Sequence, residues 1–417
     1  MFKKKEVITA VDIGTSKISV LIGEADPSGN ITALGLGERE TNDAIIKGEI
    51  RKFEDVVEKL SAALGDAVVN SDREINSENI FFSVTGKGIK AQESMGAVTI
   101  LNEERRITNF EINEAVKNSK QCSLPPNNIA INFVLSDFII DGHKRVEDPK
   151  GLSASKLESL SFCVYGNASI VENYKNIFSD VGYDIKHKAD IFAPLASSRV
   201  CLSEDDLRNG VLLVDMGAGT TEYAIFHGNG FFNCGVIQVG CDHIANDISA
   251  AFDIHISEAR KMIVSNLLTE DFLKEQYVIL QRSGISRRIP TSSLESVMKL
   301  RINEVFEILN DSIGEKELKQ HIGNGVILSG GGANIATVIR LAEDFFQTTV
   351  RRSGVRSIDG TISKLKDPRY CCLAGLLKYG SEIKLSGKSS GIIQEVDKWL
   401  WKIITKSWKS LSEAVRI

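Results

Sequence analysis

The chain has almost no tryptophan: three residues in 417, all beyond position 398. Histidine is nearly as scarce, with six residues and no H-E-x-x-H or other ligand spacing, so these read as surface or satisfied core residues rather than metal ligands. The seven cysteines, at 122, 163, 201, 234, 241, 371 and 372, contain no C-x-x-C. An odd, scattered set without a secretion signal points to free thiols in a reducing compartment. No charge dominates; the formal net charge is −5, and no bulk field draws nucleic acid. No apolar run approaches the ~20 residues of a membrane span. The basic start, Met1-Phe-Lys-Lys-Lys-Glu6, is interrupted by Asp12 too early for a signal peptide. Gly387-Lys-Ser389 lacks the earlier glycine of a P-loop, since Glu382 stands there, and no G-x-G-x-x-G opens a helix after the first strand. At this length two or more subdomains are expected.

What is present is a motif that occurs twice. In Val211-Leu-Leu-Val-Asp-Met-Gly-Ala-Gly-Thr-Thr-Glu-Tyr-Ala-Ile-Phe226 an apolar run ends in Asp215, a small-residue turn follows, and a second apolar run returns. A carboxylate at the end of a buried strand is costly without a partner, and a glycine turn leaves amides free for a phosphate. The pair suggests an anionic ligand held by backbone N–H groups, with Asp215 facing a metal or its waters. Residues 7 to 22 repeat the layout: an apolar run into Asp12, a Gly14-Thr15-Ser16 turn carrying Lys17, and another apolar strand. Copies half a chain apart mean two related halves rather than a solenoid.

The rest of the chain fits around these turns. Gly29-Asn30 reads as a hairpin turn, residues 53–69 as a helix from their apolar spacing, and 80–85 as a buried strand. Residues 1–85 therefore form the first part of one α/β lobe. Residues 86–161 read as an inserted small domain: a strand at 96–101, a helix at 107–119 opened by Thr108, strands at 129–135 and 138–140, and a polar segment at 141–158. The lobe resumes over 162–200, with a strand at 160–164, a helix at 169–181 and another at 193–202 with Pro194 in its first turn. Residues 201–242 form the core of a second lobe. Residues 243–320 are a mostly helical subdomain interrupted by a β-like piece at 277–280. Residues 321–383 bring a strand, Gly330-Gly331-Gly332, a helix at 335–346 and the return to the core. A triple glycine between strand and helix lets backbone approach a flat or phosphorylated group.

Residues 384–391 are a flexible linker by composition. Residues 392–417 keep helical apolar spacing, with Trp399, Leu400, Trp401, Ile403, Ile404, Trp408 and Leu411 on the apolar side and Lys398, Lys402, Lys406 and Lys409 beside them. A basic, tryptophan-rich amphipathic helix is the signature of an anchor lying in the membrane interface. The alternative is a helix that docks on its own domain or on a partner.

The ordered set of motifs resembles the actin-like ATPase superfamily and, within it, the bacterial FtsA cell-division family. Asp12-Ile-Gly-Thr-Ser-Lys17 resembles its first phosphate motif, Asp215-Met-Gly-Ala-Gly-Thr-Thr-Glu222 its second, and Val326-Ile-Leu-Ser-Gly-Gly-Gly-Ala333 its adenosine motif. Residues 147–158 resemble the close of its inserted domain, Asp367-Pro-Arg-Tyr370 and Gly375-Leu-Leu-Lys-Tyr-Gly380 its last core helix, and the tail its membrane-targeting sequence. The resemblance implies an α/β actin-like ATPase fold: two α/β lobes around a nucleotide cleft, with an inserted small α+β domain and a C-terminal amphipathic helix. It implies ATP held by Gly14, Thr15, Ser16 and Lys17 from one side and Gly217, Ala218, Gly219, Thr220 and Thr221 from the other. Asp12 and Asp215 would orient the waters of Mg²⁺, and Gly330, Gly331 and Gly332 would back the adenosine. Glu258 and Lys261 would meet ribose and adenine, unless they are a solvated i,i+3 pair. It further implies self-association into protofilaments, binding to the C-terminal peptide of FtsZ and to other divisome proteins, and attachment to anionic lipid at the cytoplasmic face of the membrane at the division site. Ala193, Ala218, Glu222 and Cys241 depart from common family residues. Alanine at 193 cannot polarise a water, so the expectation is ATP binding with slow or negligible hydrolysis. A pilus-assembly adaptor or a kinase on the same fold are the competing readings.

Overall fold

A computed structural model describes residues 5–102, 104–228, 230–264, 276–282, 285–386 and 396–397. The first sheet is built from β1 (Glu6–Ile13), β2 (Lys17–Ala25) and β3 (Ile31–Glu40), an antiparallel meander. A small hairpin, β4 (Ile45–Ile46) and β5 (Glu49–Ile50), leads into α1 (Phe53–Ser71). The apolar stripe expected at 53–69 is the face α1 buries: Val56, Leu60, Ala63, Leu64 and Ala67 pack on β2 and β3. Burying each of its leucines and its valine is worth about 1.5–3 kcal/mol. The helix stops where Asp72 turns left-handed and its N–H reaches back to the Val68 carbonyl. β6 (Ile80–Val84) then lies parallel to β1.

The inserted segment holds β7 (Lys90–Thr99), α2 (Asn109–Ser119), β8 (Asn128–Ile140), β9 (Lys144–Val146) and β10 (Lys156–Asn167). Thr108 caps α2 in a reciprocal box with Glu111. The runs at 129–135 and 138–140 are one thirteen-residue strand; a bulge against β10 absorbs the polar break at Ser136-Asp137. The polar segment 141–158 contains β9 and the start of β10. β10 runs across position 161/162 and pairs with β7 and β8 on either side, so the strand expected at 160–164 belongs to the inserted sheet. α3 (Ala168–Asp180), β11 (Asp190–Phe192) and α4 (Ala193–Cys201) follow, β11 beside β6.

The second lobe repeats the first. After α5 (Glu204–Asn209) come β12 (Val211–Met216), β13 (Thr221–His227) and β14 (Gly230–Ile237), again an antiparallel meander. α6 (Cys241–Phe252) and α7 (Ile256–Val264) lead to β15 (Tyr277–Arg282) and β16 (Ile285–Pro290). The β-like piece at 277–280 is thus one arm of a hairpin. Helices Thr291–Ile313 and Glu315–His321 complete this region. β17 (Val326–Ser329) and β18 (Val350–Arg352) extend the sheet in parallel. The triple glycine opens a short 3₁₀ turn, Gly331–Asn334, so the next helix starts at Val338 and not at 335. β19 (Asp359–Gly360) returns to the edge of the first sheet, and helix Cys371–Ser386 packs against α4 and β1.

The two sheets share a plan: β11-β6-β1-β2-β3 in one, β18-β17-β12-β13-β14 in the other. Three apolar cores result: a large one of the first lobe that also takes in Val211, Leu213, Phe226 and Ile327 from one face of the second sheet, one on the other face of that sheet around Leu212, Val214 and Ile225, and a smaller one under α2. All seven cysteines are free thiols, and no described helix is long and apolar enough to cross a membrane. The amphipathic helix expected at 392–417 lies outside the described residues, except for Val396 and Asp397. These two form a short strand, β20 (Val396–Asp397), on β8 instead of a helical turn.

Candidate nucleotide site

The site grows from two turns built alike. After Asp12 the chain reverses on a hydrogen bond from the Gly14 N–H to the Lys17 carbonyl, 3.0 Å; after Asp215 it reverses on the bond from the Gly217 N–H to the Thr220 carbonyl, 2.9 Å. Both turns lie outside the strand ladders, which end at Ile13↔Ile18 and Met216↔Thr221. The turns touch. A Cβ on Gly219 would fall 2.6 Å from Thr15 Oγ1 and 2.9 Å from Lys47 Cα, an approach only glycine permits. Thr15 Oγ1 also accepts the Gly48 N–H at 3.1 Å, which draws the 41–50 segment over the junction. The start of α6 clasps the second turn from outside: the Cys241 and Asp242 amides donate to the carbonyls of Gly217 and Ala218, at 3.0 and 2.8 Å.

The triple glycine forms a third wall. Gly330 has φ +79°, and a Cβ there would collide with Asp215 Oδ1. A Cβ on Gly332 would meet Met216 Cβ at 2.6 Å and Cys241 Sγ at 3.0 Å. Gly331 faces the stem of Arg369, whose guanidinium is held by Asp367. On α7, the Glu258 carboxylate accepts from the His255 N–H and caps the helix start, while Lys261 is exposed. Between them Arg260 binds Asp242 at 3.0 Å and, across the cleft mouth, Asp43 of the first lobe at 3.2 Å.

Three carboxylates crowd beneath the turns. Asp12 accepts from the Ser83 hydroxyl at 2.7 Å. Burial pushes Asp215 up to about 7, and the nearby Asp12 charge adds to it, against the pull of the Ser329 and Ser197 hydroxyls. Glu222, the cross-strand partner of Asp215, is pushed up to about 8 by burial and then by Asp215. The hydroxyls of Thr85 and Thr220 donate to its Oε1, while its buried Oε2 has no protein donor. Such crowding favours a cation. Among the described residues no three His, Cys, Asp or Glu side chains converge as a direct cage. These residues can instead offer an outer shell to a hydrated ion such as Mg²⁺, and the amide turns above it suit phosphate. Ala193 begins α4 as a buried methyl and brings no polar group.

Lys17 is engaged elsewhere in this structure. Its Nζ lies 2.6 Å from Glu38 and 3.7 Å from the centroid of the Tyr370 ring. Burial lowers its proton affinity, against Glu38. Glu38 is itself disfavoured by burial, but Lys17, Lys364 and the Tyr370 hydroxyl outweigh that and hold it down at about 2. Glu38, Thr85, Arg260 and Arg369 have no motif of their own in the sequence. They reach the site through strand register and tertiary packing, although Thr85 closes the strand expected at 80–85 and Arg369 stands in Asp367-Pro-Arg-Tyr370. Trp399, Leu400, Trp401, Ile403, Ile404, Trp408, Leu411, Lys398, Lys402, Lys406 and Lys409 lie outside the described residues.

Two family models match the chain: Cell division protein FtsA over residues 212–375, and the SHS2 domain inserted in FTSA over residues 86–164. Together they cover more than half of it, and the second coincides with the inserted sheet and α2. The cell division protein FtsA of Escherichia coli strain K12 is 26% identical over 418 residues, spanning 97% of each chain. The chain belongs to the FtsA family. Two solved structures share the fold: the PilM-PilN type IV pilus biogenesis complex (TM-score 0.59, 12% identity, 90% of this chain and 98% of that one) and ADP-bound MreB5 of Spiroplasma citri (TM-score 0.54, 13% identity, 92% and 99%). FtsA family membership makes this a cell-division protein with an actin-like fold, and weighs against the adaptor and kinase readings.

Proposed function

We propose that this FtsA-family chain binds ATP with Mg²⁺ between its lobes, hydrolyses it slowly or not at all, and self-associates. In this reading it ties FtsZ, through the FtsZ C-terminal peptide, to anionic lipid at the cytoplasmic face of the membrane. Other divisome proteins would join it at the division site. The observation that carries the nucleotide part is the contact of two amide turns, Gly14–Lys17 and Gly217–Thr221 in sequence, above Asp12, Asp215 and Glu222. Asp12 and Asp215 would orient the water shell of the cation; Thr15, Ser16, Thr220 and Thr221 would face phosphate; Gly330 to Gly332 would pass under the nucleoside. Bound ATP supplies the anion that joins the lobes. Ala193 leaves the start of α4 without a group to polarise a water, which supports a holding role over a cutting one. Nucleotide then acts as a switch, through its differential affinity for the assembled and free states.

The test combines ATP binding, phosphate release and sedimentation with phosphatidylglycerol vesicles, using the full chain and a version ending at Lys384. The expected result is Mg²⁺-dependent ATP binding, little phosphate release, and pelleting of the full chain alone. Brisk turnover would sink the holding role, and equal pelleting of both versions would sink the tether.

A further inference from the structure

Among the described residues, β8 leaves most of one edge without a strand beyond the two-residue β20. β10 covers its other edge along its whole length, whereas β9 pairs only with Phe138, Ile139 and Ile140. An unpaired edge is a template for another strand. Three observations say which segment fills it. First, the last core helix, Cys371–Ser386, ends close by: Lys384 acts electrostatically on His187, and the neighbouring Lys188 donates to the Ala130 carbonyl of β8 at 2.8 Å. Nine residues then separate Ser386 from Val396 and can span roughly 30 Å. Second, Val396 and Asp397 pair in parallel with Phe133 and Val134. Third, that direction carries the chain toward Ser136 and Asp137, which line a cavity of about 470 Å³ together with Arg145, Phe162, Phe231 and Phe232. Glu93 also lines it, and Glu147 acts on Asp137. His227 and His321 line it too, and Arg145 already pairs with Asp137 at 3.4 Å. Its aromatic walls suit a segment rich in tryptophan, with Glu93 left to meet a lysine, and the residues after Asp397 begin Lys398-Trp399-Leu400-Trp401-Lys402.

We propose that the open edge of β8 at residues 131–137, with the cavity beside it, is a docking site for this chain's own C-terminal tail. The tail adds to the sheet as a strand, with a lysine toward Glu93 and an indole among the phenylalanines. Docked, the tail has no apolar face to give to a membrane. Any strand that takes the β8 edge releases it. The consequence for membranes rests on the anchor reading of the tail; the docking itself does not.

Because Trp399, Trp401 and Trp408 are the chain's only tryptophans, intrinsic fluorescence reports on the tail alone. The experiment measures iodide quenching of the lipid-free full chain against a synthetic peptide of residues 392–417. It is repeated with Asp137→Lys, and with Val396→Pro, which removes a backbone donor from the two-residue strand on β8. Docking predicts several-fold weaker quenching in the full chain than in the peptide, restored toward the peptide value by both variants. It also predicts half-maximal pelleting of both variants at several-fold less phosphatidylglycerol vesicle. Quenching equal to the peptide, or shielding that neither variant changes, overturns the proposal. So does shielding that rises with protein concentration, since a second copy would then cover the tail. If neither chain nor peptide pellets with vesicles, the anchor reading fails while the quenching still decides the docking.

Discussion

Glu222 is buried beside Asp215 with only one of its oxygens satisfied by the protein, and this has a pH signature. Its carboxyl is raised to about 8 in the fold, against an ordinary value near 4.3 in the unfolded chain. Below both values the two states bind the proton equally and nothing is lost. As pH rises above the unfolded value, only the unfolded chain releases the proton, so stability falls until pH passes about 8. Each tenfold difference in proton affinity is worth about 1.4 kcal/mol. Without nucleotide, the urea midpoint is therefore expected to fall between pH 5 and pH 8, and Glu222→Gln is expected to flatten that slope. An equal slope in the variant would place the titration elsewhere. Gly219 gives a second outcome at this scale. In Gly219→Ala the new methyl meets Thr15 and the Lys47 backbone, so the turns must separate. ATP affinity is expected to drop at least about tenfold, about 1.4 kcal/mol, with the circular dichroism spectrum unchanged. Titration with a fluorescent ATP analogue measures it.

At the scale of the element, local signals were legible and pairings across distance were not. Both motif hairpins, α1 and the Thr108 start of α2 follow from apolar period, turn residues and caps, all of which act within a few residues. Thr108→Ala is expected to cost about 1 kcal/mol, read from a urea midpoint, because it removes the acceptor for the Phe110 N–H and the partner of Glu111. Ser136-Asp137 breaks the apolar run of β8 and reads as a gap between two strands, and nothing local announces that Ser136 is the extra residue of a bulge against β10. β10 itself was divided between two domains because alternation shows that a strand exists and not which sheet it joins. Lys17 illustrates the same limit in the site. Its turn was readable, whereas its partner Glu38 comes from the far end of the next strand, β3, and Tyr370 from the far end of the chain.

For the whole molecule, the repeated sheet plan makes the cleft the place where two like lobes meet above a core they share, which takes in Val211, Leu213, Phe226 and Ile327 of the second sheet. Few polar contacts bridge it: Thr85 with Glu222 on the floor and Arg260 with Asp43 at the mouth. A ligand that holds both turns therefore adds cohesion across the cleft. At a hundredfold excess over its Kd it stabilises the fold by about 2.7 kcal/mol, and Asp215→Asn is expected to lose most of the Mg²⁺-dependent part of that gain. The mouth contact separates rate from stability. Arg260 and Asp43 are both well exposed, and exposed pairs contribute little to folding, so Asp43→Ala, which keeps the Arg260–Asp242 pair, should leave the urea midpoint unchanged. Because this pair closes the lobes over the site, its loss should speed release of a fluorescent ATP analogue several-fold in a stopped-flow chase. Unchanged release with unchanged stability would reduce the pair to surface decoration and leave closure to Thr85 and the two turns.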